Sequence, residues 1–158
     1  MITAIFSARR IFFCALLLFP VCMPAQRTTD VMLAGGWSRS HDNYLDAGLR
    51  FYRLAADGQA FMAFSGLTAG CEFNLSKQRG QYIPYAGWQG QAFLLAYGAR
   101  AEYGIDENQY AWGLSLETGL SLIEFMRVTC GYRFRIAGDP DALQSGPKFS
   151  LVFAMLMK

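Results

Sequence analysis

The stretch GLSLETGLSLIEFMRVTCGYRFR, from Gly113 to Arg135, decides the fold. Leu114, Leu116 and Leu120 alternate with Gly113, Ser115, Glu117 and Gly119. After a short break, Met126, Val128, Cys130, Tyr132 and Phe134 alternate with Arg127, Thr129, Gly131, Arg133 and Arg135. A period of two is the mark of a strand with two different faces, because successive side chains leave a pleated backbone on opposite sides. The stretch reads as two strands joined by a tight turn near Leu122 to Glu124.

Working outward, the same period predicts eight strands, near residues 29–39, 44–54, 60–75, 81–92, 94–104, 109–120, 125–136 and 148–157. The connections alternate in character. SRSHDN (38–43), SKQRG (76–80), IDEN (105–108) and AGDPDALQSGP (137–147) are polar and rich in turn formers, whereas those near 55–58, 93 and 121–124 are short. This is the pattern of an antiparallel up-and-down barrel with one longer-looped end and one tight end.

Alternation alone leaves open which face is inside. The less apolar face carries small residues punctuated by charge: Asp46, Gly48, Arg50 and Tyr52; Thr68, Gly70, Glu72 and Asn74; Ala96, Gly98, Arg100 and Glu102; Ala111, Gly113, Ser115 and Glu117. Such residues suit a narrow lumen filled by side chains. The opposite face is bulky throughout, with Leu45, Leu49, Phe51, Phe61, Leu67, Phe73, Leu114, Leu116, Leu120, Phe149, Leu151, Phe153 and Met155. Aromatics gather near strand ends, Trp37, Tyr44, Phe73, Tyr82, Tyr103, Tyr110, Trp112, Tyr132 and Phe134 toward one and Phe61, Trp88, Phe93 and Phe125 toward the other. Rings at both interfaces are the girdles of a membrane barrel. The expected fold is therefore all-β, an eight-stranded transmembrane barrel.

The N-terminus fits export. Arg9 and Arg10 precede an apolar run from Ile11 to Val21, and Met23-Pro24-Ala25 offers a cut before Gln26. That run falls short of the roughly 20 residues a spanning helix needs. A lipoprotein cut at Cys22 is disfavoured by the large Val21 before it. Residues 1–25 are read as a signal peptide and 26–158 as the barrel. Without Arg9 and Arg10 the 14 basic residues fall to 12, against 12 acidic ones. The mature chain is neutral and lacks a nucleic-acid footprint. Cys71 and Cys130 lie on apolar faces and read as small buried hydrophobes rather than a bridge. Metal-ligand spacing is absent, and neither metal nor cofactor is expected.

The segments YIPYAGWQG (82–90), AYGARAEYG (96–104), GLSLETGLSLIEFMRVTCGYRF (113–134) and KFSLVF (148–153) resemble small eight-stranded outer-membrane barrels of the OmpX and OmpA transmembrane type, best in the C-terminal half. One departure is the ending Met157-Lys158, where many such barrels close on an aromatic residue. The resemblance implies location in the outer membrane of a Gram-negative bacterium, with outer-membrane lipid and the barrel-assembly machinery as partners.

Nine charged residues are expected in the lumen: Asp46, Arg50, Glu72, Arg100, Glu102, Glu117, Arg127, Arg133 and Arg135. The reading adopted is an ion-paired plug; the competing one is a narrow proton or ion path. Loops 38–43 and 137–147 are the candidate surface for a ligand or partner. Asp139 and Asp141 read as a solvated turn, being too few for a calcium site. Two other classes stand beside this structural or surface-interaction reading. One is a lipid-modifying enzyme centred on His41, the single histidine, within Ser38-Arg39-Ser40-His41-Asp42. The other is a soluble lipocalin-like barrel, which requires Leu116, Leu120 and Phe153 to point inward around an apolar ligand.

Overall fold

The computed structural model describes residues 29–54, 64–76, 80–122 and 125–157. It holds eight strands: β1 (Thr29–Arg39), β2 (Asn43–Leu54), β3 (Phe64–Asn74), β4 (Tyr82–Ala92), β5 (Leu95–Asp106), β6 (Gln109–Leu122), β7 (Met126–Gly138) and β8 (Gly146–Leu156). Each pairs antiparallel with the next, and β8 closes on β1 through Met32↔Leu156 to Arg39↔Phe149. Closure leaves no unpaired sheet edge. The expected and observed strands agree to within two residues at most ends. Residues 60–63 of the expected third strand, the signal segment 1–25 and the turn residues 123–124 lie outside the described residues.

Two tight hairpins need a left-handed residue. Ala92↔Leu95 brackets Phe93 at φ 56°, and Asp106↔Gln109 brackets Glu107 at φ 51°. A positive φ at the first central residue matches the strand twist, which ordinary turns would oppose. Between β6 and β7 the register shifts at Trp112/Gly113, a bulge that leaves Ile136 without a partner.

The bulky face points outward. Leu116, Leu120, Phe153 and Met155 are exposed by 48, 59, 52 and 67%, with Leu45, Leu49, Leu67, Phe73 and Phe149 similarly bare. The inward-facing apolar lining required by a lipocalin-like barrel is thus overturned. The lumen is layered instead. At the end bearing the longer loops, Tyr44, Ile83, Ala111, Ala142 and Leu143 form an apolar cluster. Charged and polar residues fill the middle. Below them, Met32, Ala34, Val152 and Ala154 pack with Tyr52.

Two expectations about the faces are corrected. Tyr44 is buried rather than part of an aromatic girdle, because it shares the inward parity of Asp46 and Arg50; its ring lies 5.5 Å from the Arg133 guanidinium carbon. Cys130 is exposed and Cys71 half-buried, both as free thiols on the outer face rather than buried small hydrophobes. Trp37, Phe73, Tyr82, Tyr110, Trp112, Tyr132 and Phe134 do turn outward, and Tyr103 packs against Tyr110 and Trp112 at 6.0 and 4.3 Å.

Candidate functional site: the charged lumen and its cap

The lumen is built by parity. Each strand spends every second residue inward, so the charges on β2, β3, β5, β6, β7 and β8 converge on one axis once the barrel closes. Asp46, Arg50, Glu72, Arg100, Glu102, Glu117, Arg127 and Arg133 are all buried there. So is Lys148, which starts the inward series Lys148, Ser150, Val152, Ala154 on β8. Sequence reasoning missed its role, although the alternation of β8 carried the signal.

Lys148 is the hub. Its Nζ lies 2.5 Å from Glu72 Oε1, 2.8 Å from Glu102 Oε1 and 3.3 Å from Glu117 Oε1. Arg133 bridges Glu72 through Nη2 and Glu102 through Nε, and Ser115 Oγ donates to Glu102 at 2.7 Å. Arg100 is shared by Asp46 at 3.4 Å, Glu72 at 3.6 Å and Glu117 at 3.4 Å, while its guanidinium carbon lies 4.6 Å from the centre of the Tyr85 ring. Tyr85 in turn donates to Asp46 Oδ1 at 2.6 Å, and Thr129 to Glu117 Oε2 at 3.1 Å. Glu72 Oε1 and Glu117 Oε1 accept no well-directed hydrogen bond; charge holds them, through the Lys148 contacts above. In a low-dielectric interior each carboxylate needs such a partner, and four carboxylates shared among three cations form one connected cluster.

Arg50 and Arg127 stand apart, nearer the tight-turn end. Arg127 crosses to β4 and β5, donating to Gln89 Oε1 at 2.5 Å and to the Tyr97 carbonyl at 2.6 Å. Among the described residues, Arg50 donates to the Tyr52 hydroxyl at 3.4 Å. Arg135 departs from expectation altogether. It is exposed at the rim, where Nη1 donates to the Gly138 carbonyl at 2.9 Å. Its inward place, opposite Gly113, is taken: Leu143 lies so close that a Cβ on Gly113 would meet its Cδ2 at 2.4 Å.

Leu143 belongs to the loop joining β7 and β8, which folds into the barrel mouth instead of lying in solvent. Ala142 and Leu143 are fully buried. Gln81 Nε2 donates to the carbonyls of Asp141 and Ala142 at 3.0 and 2.9 Å, and the Asp139 carboxylate accepts from the Asp141 amide at 2.9 Å. Gly104 lets the loop approach, since a Cβ there would sit 2.1 Å from the Ala142 oxygen. Gly138 enters the loop at φ 98°, a conformation L side chains resist. The reading of 137–147 as a solvated turn is corrected to a packed cap. Leucine in a polar loop was the available clue.

His41 joins the first loop to this cap. Its Nε2 lies 3.3 Å from the Ser145 carbonyl oxygen, while the Ser145 hydroxyl accepts from the Arg135 amide at 2.8 Å. The geometry is that of a loop-to-loop contact, with the imidazole aimed at a carbonyl and not at a hydroxyl nucleophile.

The chain matches no protein-family model and no curated protein. It is similar to a solved chain described as "De novo design of transmembrane beta-barrels", at 11% identity and a TM-score of 0.48, over 82% of this chain and 98% of that one.

Proposed function

We propose that the chain is an exported precursor of a non-enzymatic outer-membrane β-barrel from a Gram-negative bacterium, with residues 1–25 removed as a signal peptide and residues 26–158 resident in the membrane. One observation carries the reading: a closed barrel turns its large apolar side chains outward and its charges inward. In water that belt would be a large exposed apolar surface, which soluble monomers avoid; in lipid it is the lowest-energy face. The dimensions agree. An 11-residue strand extends about 36 Å and, tilted by about 40°, rises about 28 Å, close to the roughly 25 Å apolar band of such barrels.

The packed, ion-paired lumen favours a structural or surface-interaction role over transport. Contacts to partners then fall to the rim formed by loops 38–43 and 137–147, where Arg39, His41, Pro140, Asp141 and Ser145 are exposed. Outer-membrane lipid and the barrel-assembly machinery complete the partners. The test is gel mobility of the protein from an outer-membrane fraction, with and without boiling. A fast unboiled band that slows on heating is the expected result. A single band, with the protein in the soluble periplasmic extract, would overturn the reading.

A further inference from the structure

The buried charges of the lumen do not balance. Among the described residues that are buried, Arg50, Arg100, Arg127, Arg133 and Lys148 stand against Asp46, Glu72, Glu102 and Glu117, which leaves one positive charge. The imbalance has a place. Arg100, Arg133 and Lys148 are woven among all four carboxylates. Arg50 and Arg127 have no carboxylate within 4 Å among the described residues. Both are buried toward the tight-turn end of the lumen, Arg50 against Tyr52 on β2 and Arg127 at the second position of β7. Glu117 is already shared by Arg100 and Lys148.

Two buried donors in the same place have no acceptor among the described residues: Arg127 Nε and Gln89 Nε2. They belong to side chains joined by the 2.5 Å hydrogen bond from Arg127 to Gln89, and both residues are at least 95% buried. A buried donor left without an acceptor is destabilising, the more so when it carries charge. Two guanidiniums without a carboxylate in ion-pair range, one of them with an orphaned N–H beside an orphaned amide donor, make an environment that suits a buried anion.

We propose that Arg50, Arg127 and Gln89 form a binding site in the lumen for a small monovalent inorganic anion of about the size of chloride. The nine buried charged residues set the sign and suggest the valence, since among them the cations exceed the carboxylates by one. The lumen sets the size, because an eight-stranded barrel filled by side chains leaves room for little more than a water or a halide. Arg127 is the second residue of β7 and Gln89 lies near the end of β4, so the site falls in the half of the lumen away from Leu143.

Bromide is the probe, with the full mature chain folded in detergent micelles. Thermal midpoints are followed in potassium bromide and in potassium gluconate at equal ionic strength, since a ligand that binds only the folded state raises the midpoint with its concentration. The expected result is a saturating rise specific to bromide, lost in Arg127→Gln and weakened in Arg50→Gln. In crystals grown with bromide, an anomalous peak is expected within hydrogen-bonding reach of both Arg127 Nε and Gln89 Nε2. A midpoint that depends on ionic strength alone, or a bromide effect unchanged in Arg127→Gln, would overturn the proposal. So would a crystal without the peak, in which water fills the site, or a peak with no saturable shift in solution, an adventitious ion only. If Arg127→Gln does not fold, the wild-type shift and the anomalous map decide between them.

Discussion

Replacing Lys148 by Met removes the one ammonium that three carboxylates share. In the wild-type cluster four carboxylates face three cations; the variant leaves four facing Arg100 and Arg133 alone. Glu72, Glu102 and Glu117 lose contacts of 2.5, 2.8 and 3.3 Å in a setting where Lys148 itself is 1% exposed. Breaking a buried ionic cluster by removing one partner costs about 3–5 kcal/mol, most of it the desolvation of the charges left behind. The three affected carboxylates place Lys148 at the upper end of that range. Adding Glu102→Gln restores the original excess of one carboxylate and keeps a group that can accept from Ser115. The two substitutions are therefore expected to be non-additive, with a coupling of about 2–3 kcal/mol in favour of the pair. Urea unfolding of protein folded into micelles, read by the heat-dependent gel shift, measures all three variants. A loss below about 1 kcal/mol for Lys148→Met, or additive effects in the double variant, would refute the account of the lumen as one coupled cluster.

Three further outcomes follow from the same geometry. Leu116→Arg, half-exposed near the middle of β6, is expected to cost about 2–4 kcal/mol in lipid vesicles, the penalty for a cation at the bilayer midplane; no penalty would argue against a lipid-facing belt. Leu143→Ala empties a fully buried position and is expected to cost about 2–5 kcal/mol, with cleavage of residues 139–145 by added protease rising in step; an equally protected loop would mean that the cap is held by its hydrogen bonds alone. His41→Ala is expected to leave the cell's lipid A species unchanged by mass spectrometry, and an altered species would revive the enzyme reading.

The strands and their faces were legible because they depend on local sequence. Alternation from Gly113 to Arg135 is enough to separate Leu116 from Glu117, whatever the rest of the chain does. It also told which residues share a face, so eight of nine expected lumen charges are buried. Parity even contained Tyr44 and Lys148, though a lone tyrosine at a strand end reads more easily as a girdle residue, and a lysine at the first position of the expected eighth strand has no alternation before it to fix its face.

Which charges meet was decided only by closure and register. Arg133 and Glu72 are 61 residues apart, and Lys148 and Glu102 46; no local pattern couples them until eight strands share one lumen. Closure likewise separated Arg50 and Arg127 from every carboxylate within ion-pair range among the described residues. The cap is tertiary for another reason. Leu143 lies in a polar stretch without periodicity, and its burial depends on the space above Gly113 and Gly104, the donor on Gln81 and the bulge that opens β7 near Ile136. Composition and period determined a two-faced, eight-stranded chain. The closed barrel decided how its charges pair and which loop seals its mouth, because both depend on contacts between segments that sequence distance keeps apart.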